Sequence, residues 1–149
     1  MPLKCDIITQ ERLVFSEDVD MVMARGIDGE MAILPNHAPL ITALDFGEVR
    51  VRRMGADEGF AVGGGVLQVA HNRVIILADS AERSDEIDVA RAEEARRRAE
   101  KMVAEGAPAD PAAMAALEAA IKRAQIRTKV GARRGYRKPG GFGGENSGG

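Results

Sequence analysis

The segment from Glu30 to Val51 constrains the fold of this chain more than any other part. A run of apolar residues leads into Pro35 and Pro39, which bracket Asn36 and His37, and a strand of alternating apolar and charged residues follows. Proline fixes its own backbone and restricts the residue before it, so a rigid loop should join two strands here. The segment predicts a β body without helices between its strands.

Short apolar runs recur from Leu3 to Ala78 and are separated by turn residues. Period-two alternation is clear at Val19, Met21 and Met23. Nine short strands at this spacing indicate an antiparallel β-sandwich or a flattened barrel. The predicted strands are 3–8, 12–15, 19–25, 30–34, 40–44, 48–53, 59–63, 66–70 and 73–78.

The pattern changes after Asp79 to a sequence rich in Ala, Glu and Arg. Asp85, with Asp88 three residues on, is the predicted start of a first helix, and Gly106 its end. Asp110 and Pro111 predict the start of a second helix. Apolar spacings of three and four residues give each helix a seam, which predicts an antiparallel αα-hairpin. The seam residues are Ala92, Ala95, Ala99 and Met102, then Met114, Leu117, Ile121 and Ala124.

The chain therefore divides into three predicted regions. Residues 1–84 form the sandwich and residues 85–130 form the hairpin, while the glycine-rich residues 131–149 lack an apolar pattern and are predicted to be disordered. Each buried methyl of an alanine seam contributes only about 0.8 kcal/mol. The hairpin should thus be held by a few kcal/mol, which is the energy range of a conformational switch.

The charge is unevenly distributed, although the net charge is only −2. Between Ala119 and Gly144 there are basic residues and no acid. A run of one sign points to an acidic partner, an anionic ligand or nucleic acid. The simpler interpretation is a solvated helix face followed by a loose tail.

Several classes of site find little support in the sequence. Cys5 is the single cysteine, so we expect a strand residue in a reducing compartment and no disulfide framework. The chain has no apolar run near the ~18 residues of a membrane span and no signal peptide, which predicts a soluble protein that meets a membrane only through partners. His37 and His71 lack metal-ligand spacing, and no nucleophile–base pair is evident. His37 is better interpreted as an exposed recognition residue.

Gly63, Gly64 and Gly65 resemble a phosphate loop only superficially. The following residues, Val66 to Ala70, predict a strand rather than a helix N-terminus. A β-bulge or a close backbone contact is the expected role of these glycines.

Arginines on both predicted helices form a candidate anion site. Asp88, Arg91 and Arg98 share one face of the first helix, and Arg123 and Arg127 lie one turn apart on the second. If the hairpin closes, these arginines could converge on a polyanion, and Asp88 would be free to accept from a base or an amine. The guanidinium fork suits phosphate because it donates two parallel hydrogen bonds. A solvated arginine face remains the alternative.

The ordered set of motifs resembles the epsilon subunit family of the bacterial rotary (F-type) ATP synthase, a β-sandwich followed by a helical hairpin. The resemblance covers residues 1–130. Its motifs are Gly-Glu-x-x-Ile-x-Pro-x-His-Ala-Pro-Leu at Gly29–Leu40, Gly-x-Val-Arg at Gly47–Arg50, Gly-Gly-x-x-x-Val at Gly64–Val69, Val-x-x-Leu-Ala-Asp at Val74–Asp79 and Ile-Asp-x-x-Arg-Ala at Ile87–Ala92.

This resemblance implies a non-catalytic subunit of the central stalk, peripheral to the cytoplasmic face of the cell membrane and without direct membrane insertion. The sandwich would bind the gamma subunit and the polar loops of the c-ring, with Glu30 and His37 at the c-ring-facing positions. The helical hairpin would extend into the alpha/beta catalytic head and inhibit ATP hydrolysis. The implied contacts to the beta subunits are Lys122, Arg123, Arg127 and Lys129.

Some members of that family also bind ATP in the closed hairpin, so the resemblance implies ATP as a regulatory ligand with no required cofactor. The matching residues are Glu82, Ile87, Asp88, Arg91, Ala92, Arg98, Arg123 and Arg127. Two other functions stay open. A nucleic-acid or acidic-protein adaptor would use the basic second helix and tail, but one Tyr and no Trp leave few stacking platforms for nucleic acid. A small sandwich enzyme is disfavoured because no catalytic pair can be named.

Overall fold

A computed structural model describes residues 2–132, which form eight strands, a 3₁₀ turn and two helices. The strands are β1 (Leu3–Ile8), β2 (Leu13–Val19), β3 (Met21–Gly26), β4 (Gly29–Ile33), β5 (Leu40–Arg53), β6 (Ala56–Ala70), β7 (Arg73–Ala78) and β8 (Ala81–Arg83). The 3₁₀ turn is Ser84–Glu86, and the helices are α1 (Val89–Gly106) and α2 (Pro111–Gly131).

The strands form one β-sandwich, as the sequence predicts, and the two helices follow it. The strand order is β2-β1-β7-β6-β5-β3-β4, with β8 paired to β6 beyond the end of β7. All pairs are antiparallel except β1 with β7, which run parallel. The expectation of a wholly antiparallel body is wrong at this pair, because β1 and β7 are far apart in sequence and no hairpin fixes their direction.

The division of the chain into nine strands is wrong in the middle of the sandwich. β5 and β6 each replace two predicted strands, and they pair in one unbroken register from Leu40 opposite Val69 to Arg53 opposite Ala56. The sequence breaks them at glycines, but these glycines remain within the strands. Gly65 has a φ of +136°, and a Cβ there would overlap the carbonyl oxygen of Leu77. The predicted close backbone contact is thus confirmed.

The interior of the sandwich is packed with aliphatic side chains around one aromatic pair. Phe15 and Phe60 meet edge to face with ring centroids 5.3 Å apart, an arrangement favoured by the charge distribution of the rings. Leu3 and Ile7 of β1 are fully buried nearby in the same cluster. Cys5 is buried with them, and its burial raises the pKa of the thiol to about 12. It therefore behaves as a core residue of a strand, as predicted.

The helical arm, by which we mean α1 and α2, differs from its prediction at three points. α1 is capped by Asp88 rather than started at Asp85, because Ser84–Glu86 forms the 3₁₀ turn and Ile87 is extended. Met102 is 54% exposed and lies outside the seam. α2 begins at the predicted cap and proline but continues to Gly131, one residue into the predicted tail. The rest of that tail, 133–149, lies outside the described residues.

An ionic cluster centred on the buried carboxylate of Asp6 ties β1 to β2 and β7. Asp6 accepts hydrogen bonds from the hydroxyl of Ser16 at 2.5 Å and from Arg73 at 2.7 and 3.1 Å. Burial raises the pKa of Asp6, but the hydrogen bonds from Ser16 and Arg73 outweigh it, so the pKa lies below its ordinary value. The carboxylate is therefore held charged at the parallel strand pair.

The depressed pKa of Asp6 predicts a pH-dependent contribution to stability. Asp6→Asn should lower the free energy of unfolding by about 1–3 kcal/mol at neutral pH, because charged hydrogen bonds are lost. A lowered folded-state pKa contributes stability above the unfolded value of about 3.9, and that contribution is lost as the pH falls through the folded-state value. Urea unfolding between pH 7 and pH 3 should show the two proteins converging in acid.

Asp18→Asn is the matched control, because Asp18 is exposed on β2. It should leave the unfolding free energy within about 0.5 kcal/mol of the wild type. An Asp6→Asn deficit that stays constant down to pH 3 would contradict the electrostatic explanation.

Candidate functional site

The end of the helical arm docks on the outer face of the sandwich. Ala61 of β6, Ile87 and Val130 form a small buried cluster, with Val89 and Ile126 packed against it. The cluster is separate from the core of the sandwich. Docking thus rests on a small apolar contact that is independent of the main core.

An ion pair supplements this contact. Arg127 of α2 donates from Nε to Glu82 Oε1 at 2.6 Å and from Nη2 to Glu82 Oε2 at 3.2 Å. Both side chains are only about one third exposed or less. A two-pronged pair in this partly buried setting is stronger and more directional than an ordinary surface pair.

A second ion pair holds the segment from which α1 departs. Arg12, in the loop between β1 and β2, donates from Nη2 to Glu86 Oε1 at 3.0 Å. The same oxygen accepts the backbone N–H of Arg83 at 3.2 Å. The hydrogen bond from Arg12 is the main reason that the pKa of Glu86 lies below its usual range. We call Ser84–Asp88 the hinge, because it joins the sandwich to the arm.

A cavity of about 320 Å³ lies between these two ion pairs, beneath α2. We call it the α2 cavity. Its floor includes Gly63 of β6 and Ser80, and its wall on the helix side includes Ile126. Its charged and aromatic lining residues are Glu11, Arg12, Phe46, Glu82, Arg123 and Arg127.

The α2 cavity brings together three residues of the sequence-based ATP set, Glu82, Arg123 and Arg127. It also includes Arg12 and Phe46, which the sequence analysis missed. These two residues lie far from the helices in sequence, and their only sequence signal is their residue type. Strand register, rather than a local motif, brings them to α2.

The other five residues of the predicted ATP set do not line this cavity. Ile87 and Ala92 are buried. Asp88 accepts the backbone N–H of Arg91 at 3.1 Å as the cap of α1, so its carboxylate is not free as the sequence analysis expects. Arg91 is exposed, and Arg98 is exposed with Glu94 at 3.9 Å.

The two residues predicted to face the c-ring lie on different elements, one on a strand and one in a loop. Glu30 is exposed on β4, 3.7 Å from Arg25. His37 lies in the loop between β4 and β5, with Nδ1 2.7 Å from the carbonyl oxygen of Ala38. The neighbouring Asn36 is tied to Asn72 by a pair of hydrogen bonds at 2.5 and 3.2 Å. The loop that carries His37 is therefore fastened to the turn between β6 and β7.

The basic residues of α2 differ in whether their side chains are exposed for contact with a partner. Lys122, Arg123 and Lys129 are exposed, whereas Arg127 is engaged by Glu82. Lys129 and Ile126 also line a second cavity of about 490 Å³ against β3, β4 and β5. Three of the four predicted beta-subunit contacts are thus on the surface in this pose.

The sandwich also carries a row of apolar residues, which we call the apolar sheet face: the exposed Ile41, Ala43, Val66 and Leu77 and the half-buried Ile8. Ala43 lies opposite Val66, Val66 opposite Leu77, and Leu77 opposite Ile8, so the row crosses four strands. Ile41 lies two residues before Ala43 and shares its face. Ile41 is 71% exposed and Leu77 is 54% exposed.

Two absences apply to the described part of the chain. Within residues 2–132, no group of His, Cys, Asp or Glu side chains could hold a metal ion. No helix in that same range is long and apolar enough to cross a membrane.

Comparison with known proteins accounts for both parts of this architecture. Residues 2–84 match the family model of the ATP synthase delta/epsilon chain β-sandwich domain, and residues 85–131 match that of its long α-helix domain. The chain belongs to the ATP synthase delta/epsilon chain family. The resemblance drawn from the sequence motifs is confirmed.

Relatives similar in sequence include the ATP synthase epsilon chains of two organisms. The chain is 53% identical over 133 residues to that of Dehalococcoides mccartyi (strain CBDB1), covering 89% of this chain and 94% of the relative. It is 45% identical over 130 residues to that of Herpetosiphon aurantiacus, covering 87% and 94%.

Solved structures support the fold of the family. A chain in the Euglena gracilis mitochondrial ATP synthase matches with a TM-score of 0.72 and 23% identity, over 84% of this chain and 78% of that one. A chain in the Tetrahymena thermophila mitochondrial ATP synthase matches with a TM-score of 0.63 and 14% identity, over 88% and 97%.

The docking geometry predicts that the Glu82–Arg127 pair limits the opening of the arm. Glu82→Gln should weaken docking by on the order of 1 kcal/mol, because a two-pronged charged pair is replaced by a neutral contact. That corresponds to roughly a fivefold increase in the open population. Hydrogen exchange of the last two turns of α2 should accelerate by this factor.

Exchange in β5 and β6 should stay unchanged, since the pair is outside the sandwich core. Glu94→Gln is the control, because Glu94 pairs with Arg98 within α1 at 3.9 Å. Equal acceleration by both substitutions would contradict a docking role for Glu82.

Proposed function

We propose that the chain is a non-catalytic rotor subunit of the ATP synthase central stalk, whose sandwich docks on the gamma subunit and the c-ring and whose helical arm restrains ATP hydrolysis. Membership of the delta/epsilon chain family supports the stalk assignment. The observation that supports assigning partner docking and regulation to different parts of the chain is that two surfaces of the sandwich are separate. Within residues 2–132 the apolar sheet face is left uncovered, while the arm docks elsewhere on the sandwich.

The apolar sheet face fits a protein partner. Exposed contiguous apolar surface is uncommon on a monomer and typically marks an interaction site. The face is formed by β1, β7, β6 and β5, which are paired with one another in this order. It is therefore rigid and loses little conformational entropy on binding. We assign gamma to this face, and we assign Glu30 of β4 and the loop with His37 to the c-ring. Through these partners the chain would lie at the cytoplasmic face of the cell membrane.

The helical arm fits a regulatory role because its attachment is weak and its charge is asymmetric. A cluster centred on Ala61, Ile87 and Val130 and the Glu82–Arg127 ion pair hold its end to the sandwich. In a released arm, Lys122, Arg123, Arg127 and Lys129 would present a basic surface with no acidic residue between them in the sequence. Such a surface complements an acidic segment of the beta subunits in the catalytic head.

ATP sensing extends the same proposal. The α2 cavity contains Glu82, Arg123 and Arg127, and Arg91 and Arg98 offer further guanidinium groups on α1. A ligand that binds only the docked arm stabilises that pose by roughly 2.7 kcal/mol at a hundredfold excess over its Kd. This amount is comparable to the weak docking of the arm, so plentiful ATP would relieve inhibition.

A truncation tests whether docking and regulation are separate. Removal of residues 85–149 should leave a 1:1 complex with gamma, because the apolar sheet face is retained. The full chain should lower ATP hydrolysis by the purified catalytic head, and the truncated chain should bind without lowering it. Size-exclusion chromatography and steady-state hydrolysis rates measure the two effects.

Leu77→Glu in the full chain should abolish or strongly weaken the gamma complex, because a charge would be buried in the contact. Met54→Glu is the control: Met54 is 70% exposed in the turn between β5 and β6, away from the face. Loss of gamma binding on truncation, or equal effects of the two glutamates, would contradict the proposed interface.

ATP titration tests the sensing proposal. Arg91→Ala and Arg123→Ala should each weaken ATP binding about tenfold or more, because a charged hydrogen bond to phosphate contributes roughly 1.5–3 kcal/mol. Arg97→Ala is the matched control, since Arg97 is exposed on α1, lies near Glu93 of the same helix at 4.0 Å and does not line the α2 cavity. Calorimetry on the isolated full chain provides the affinities, and wild-type affinity in both variants would contradict the shared site.

A further inference from the structure

Two turns of the sandwich meet at one exposed junction. The first turn is 34–37, in which the backbone N–H of His37 donates to the carbonyl oxygen of Leu34 at 3.2 Å. Its central residues are Pro35 and Asn36, and Asn36 has a φ of +68°. Proline at the first central position and a positive φ at the second are features of a type II turn. The loop that carries His37 therefore contains a defined turn.

The second turn joins β6 to β7 through His71 and Asn72. Both residues have positive φ angles, +52° and +59°, and Ala70 pairs with Arg73 on either side of them. Two positive φ angles in a two-residue hairpin loop are features of a type I′ turn, whose twist matches that of the flanking strands. The carbonyl oxygen of Asn72 also accepts the backbone N–H of Lys4 at 3.0 Å. This turn is thus held by β6, β7 and β1.

The side chain of Asn72 joins the two turns. Its Oδ1 accepts the backbone N–H of Asn36 at 2.5 Å, and its Nδ2 donates to Asn36 Oδ1 at 3.2 Å. Within residues 2–132, three of the four non-glycine residues with positive φ angles meet here: Asn36, His71 and Asn72. Strained backbone persists where the surrounding structure holds it, and it clusters at binding sites. Its concentration at one exposed junction points to a contact surface.

The junction brings both histidines of the chain to one surface. His37 follows Asn36 and is half-buried, and His71 precedes Asn72 and is exposed. His37 Nδ1 lies 2.7 Å from the carbonyl oxygen of Ala38. Because a carbonyl oxygen can only accept, Nδ1 carries the proton, and the neutral ring leaves Nε2 as an acceptor. A partner at this surface would therefore offer a donor to His37, such as a side-chain amide, a guanidinium or a backbone N–H.

We propose that the two turns form one preorganised contact surface for a polar loop of the c-ring, in which His71 adds a contact beside His37 and Asn72 is the positioning residue. This inference rests on the proposed c-ring docking and adds the turn between β6 and β7 to it. A turn that is already fixed loses little conformational entropy when its partner binds. The contact also has a mechanical consequence, because a load applied at His37 would pass through Asn72 into the paired strands.

Glycine substitutions separate the side-chain contact from the backbone conformation. Glycine adopts positive φ angles without strain, so Asn72→Gly and Asn36→Gly should leave both turns folded. Asn72→Gly removes both hydrogen bonds between the turns, whereas Asn36→Gly removes only the bond at 3.2 Å. Hydrogen exchange of the residue 36 amide, measured by NMR on the full chain, should accelerate roughly tenfold in Asn72→Gly and less in Asn36→Gly. The double variant should match Asn72→Gly.

Affinity for the c-ring is the functional readout, with the full chain bound to gamma and the c-ring purified in detergent. Asn72→Gly should weaken c-ring binding about fivefold, because the loop must then be ordered on binding. His71→Asn should weaken it about threefold without changing exchange at Asn36, since asparagine also tolerates a positive φ. Met54→Gly is the matched control, because Met54 has a φ of +53° in the turn between β5 and β6. It should leave c-ring binding unchanged, and no variant should alter gamma binding.

His37→Ala distinguishes this inference from the proposed function. If His37→Ala loses c-ring affinity while Asn72→Gly and His71→Asn keep it, the shared surface is wrong and the c-ring assignment stands. Wild-type exchange at Asn36 in Asn72→Gly would likewise overturn the positioning role. A wild-type complex that does not bind the c-ring, or wild-type affinity in His37→Ala as well as in the other two variants, would overturn both.

Discussion

The long pairing of β5 with β6 in one register is the constraint on which the rest of the structure depends. β7 and β8 attach to β6 in succession, β3 attaches to β5, and the helical arm docks on Ala61 of β6. The register of this pair continues past Gly64 and Gly65, which adopt positive φ angles, and Gly65 allows β7 to approach closely. A side chain at Gly65 would separate β6 from β7 and displace every element attached beyond it.

The sandwich and the arm differ in how strongly they are held. The sandwich buries Phe60, Leu3 and Ile7 completely within one core, whereas the end of the arm buries a smaller cluster against Ala61. Because each buried methylene contributes about 0.8 kcal/mol, the energies of the two contacts differ by many-fold. The weaker contact would let the arm detach while the sandwich remains folded, and this would separate the proposed docking function from the proposed reversible regulatory one.

The sequence predicts the elements well and their continuity poorly. Period-two alternation and the cap at Asp110 predict the sandwich and the start of α2, because these patterns are local. The same local reasoning interprets Gly47 and Gly63 as strand ends, although each remains paired to the opposite strand. Arg12 and Phe46 could not be found as site residues because only the register of distant strands brings them to α2. The motif around Ile87, in contrast, is a local signal, and it marks the hinge and the start of α1.

Arg123 and Arg127 connect the two proposed states of the arm. In the docked pose they line the α2 cavity, and Glu82 holds one of them. In the released pose they belong to the basic surface that would meet the catalytic head. A nucleoside phosphate and an acidic protein segment would then compete for the same guanidinium groups. Since coupling between two ligands is reciprocal, the factor by which bound nucleotide would weaken binding of the arm to the head equals the factor by which the head would weaken nucleotide binding. The arm would thus respond to the ratio of two anionic partners rather than to either alone, and no signal needs to pass through the core of the sandwich.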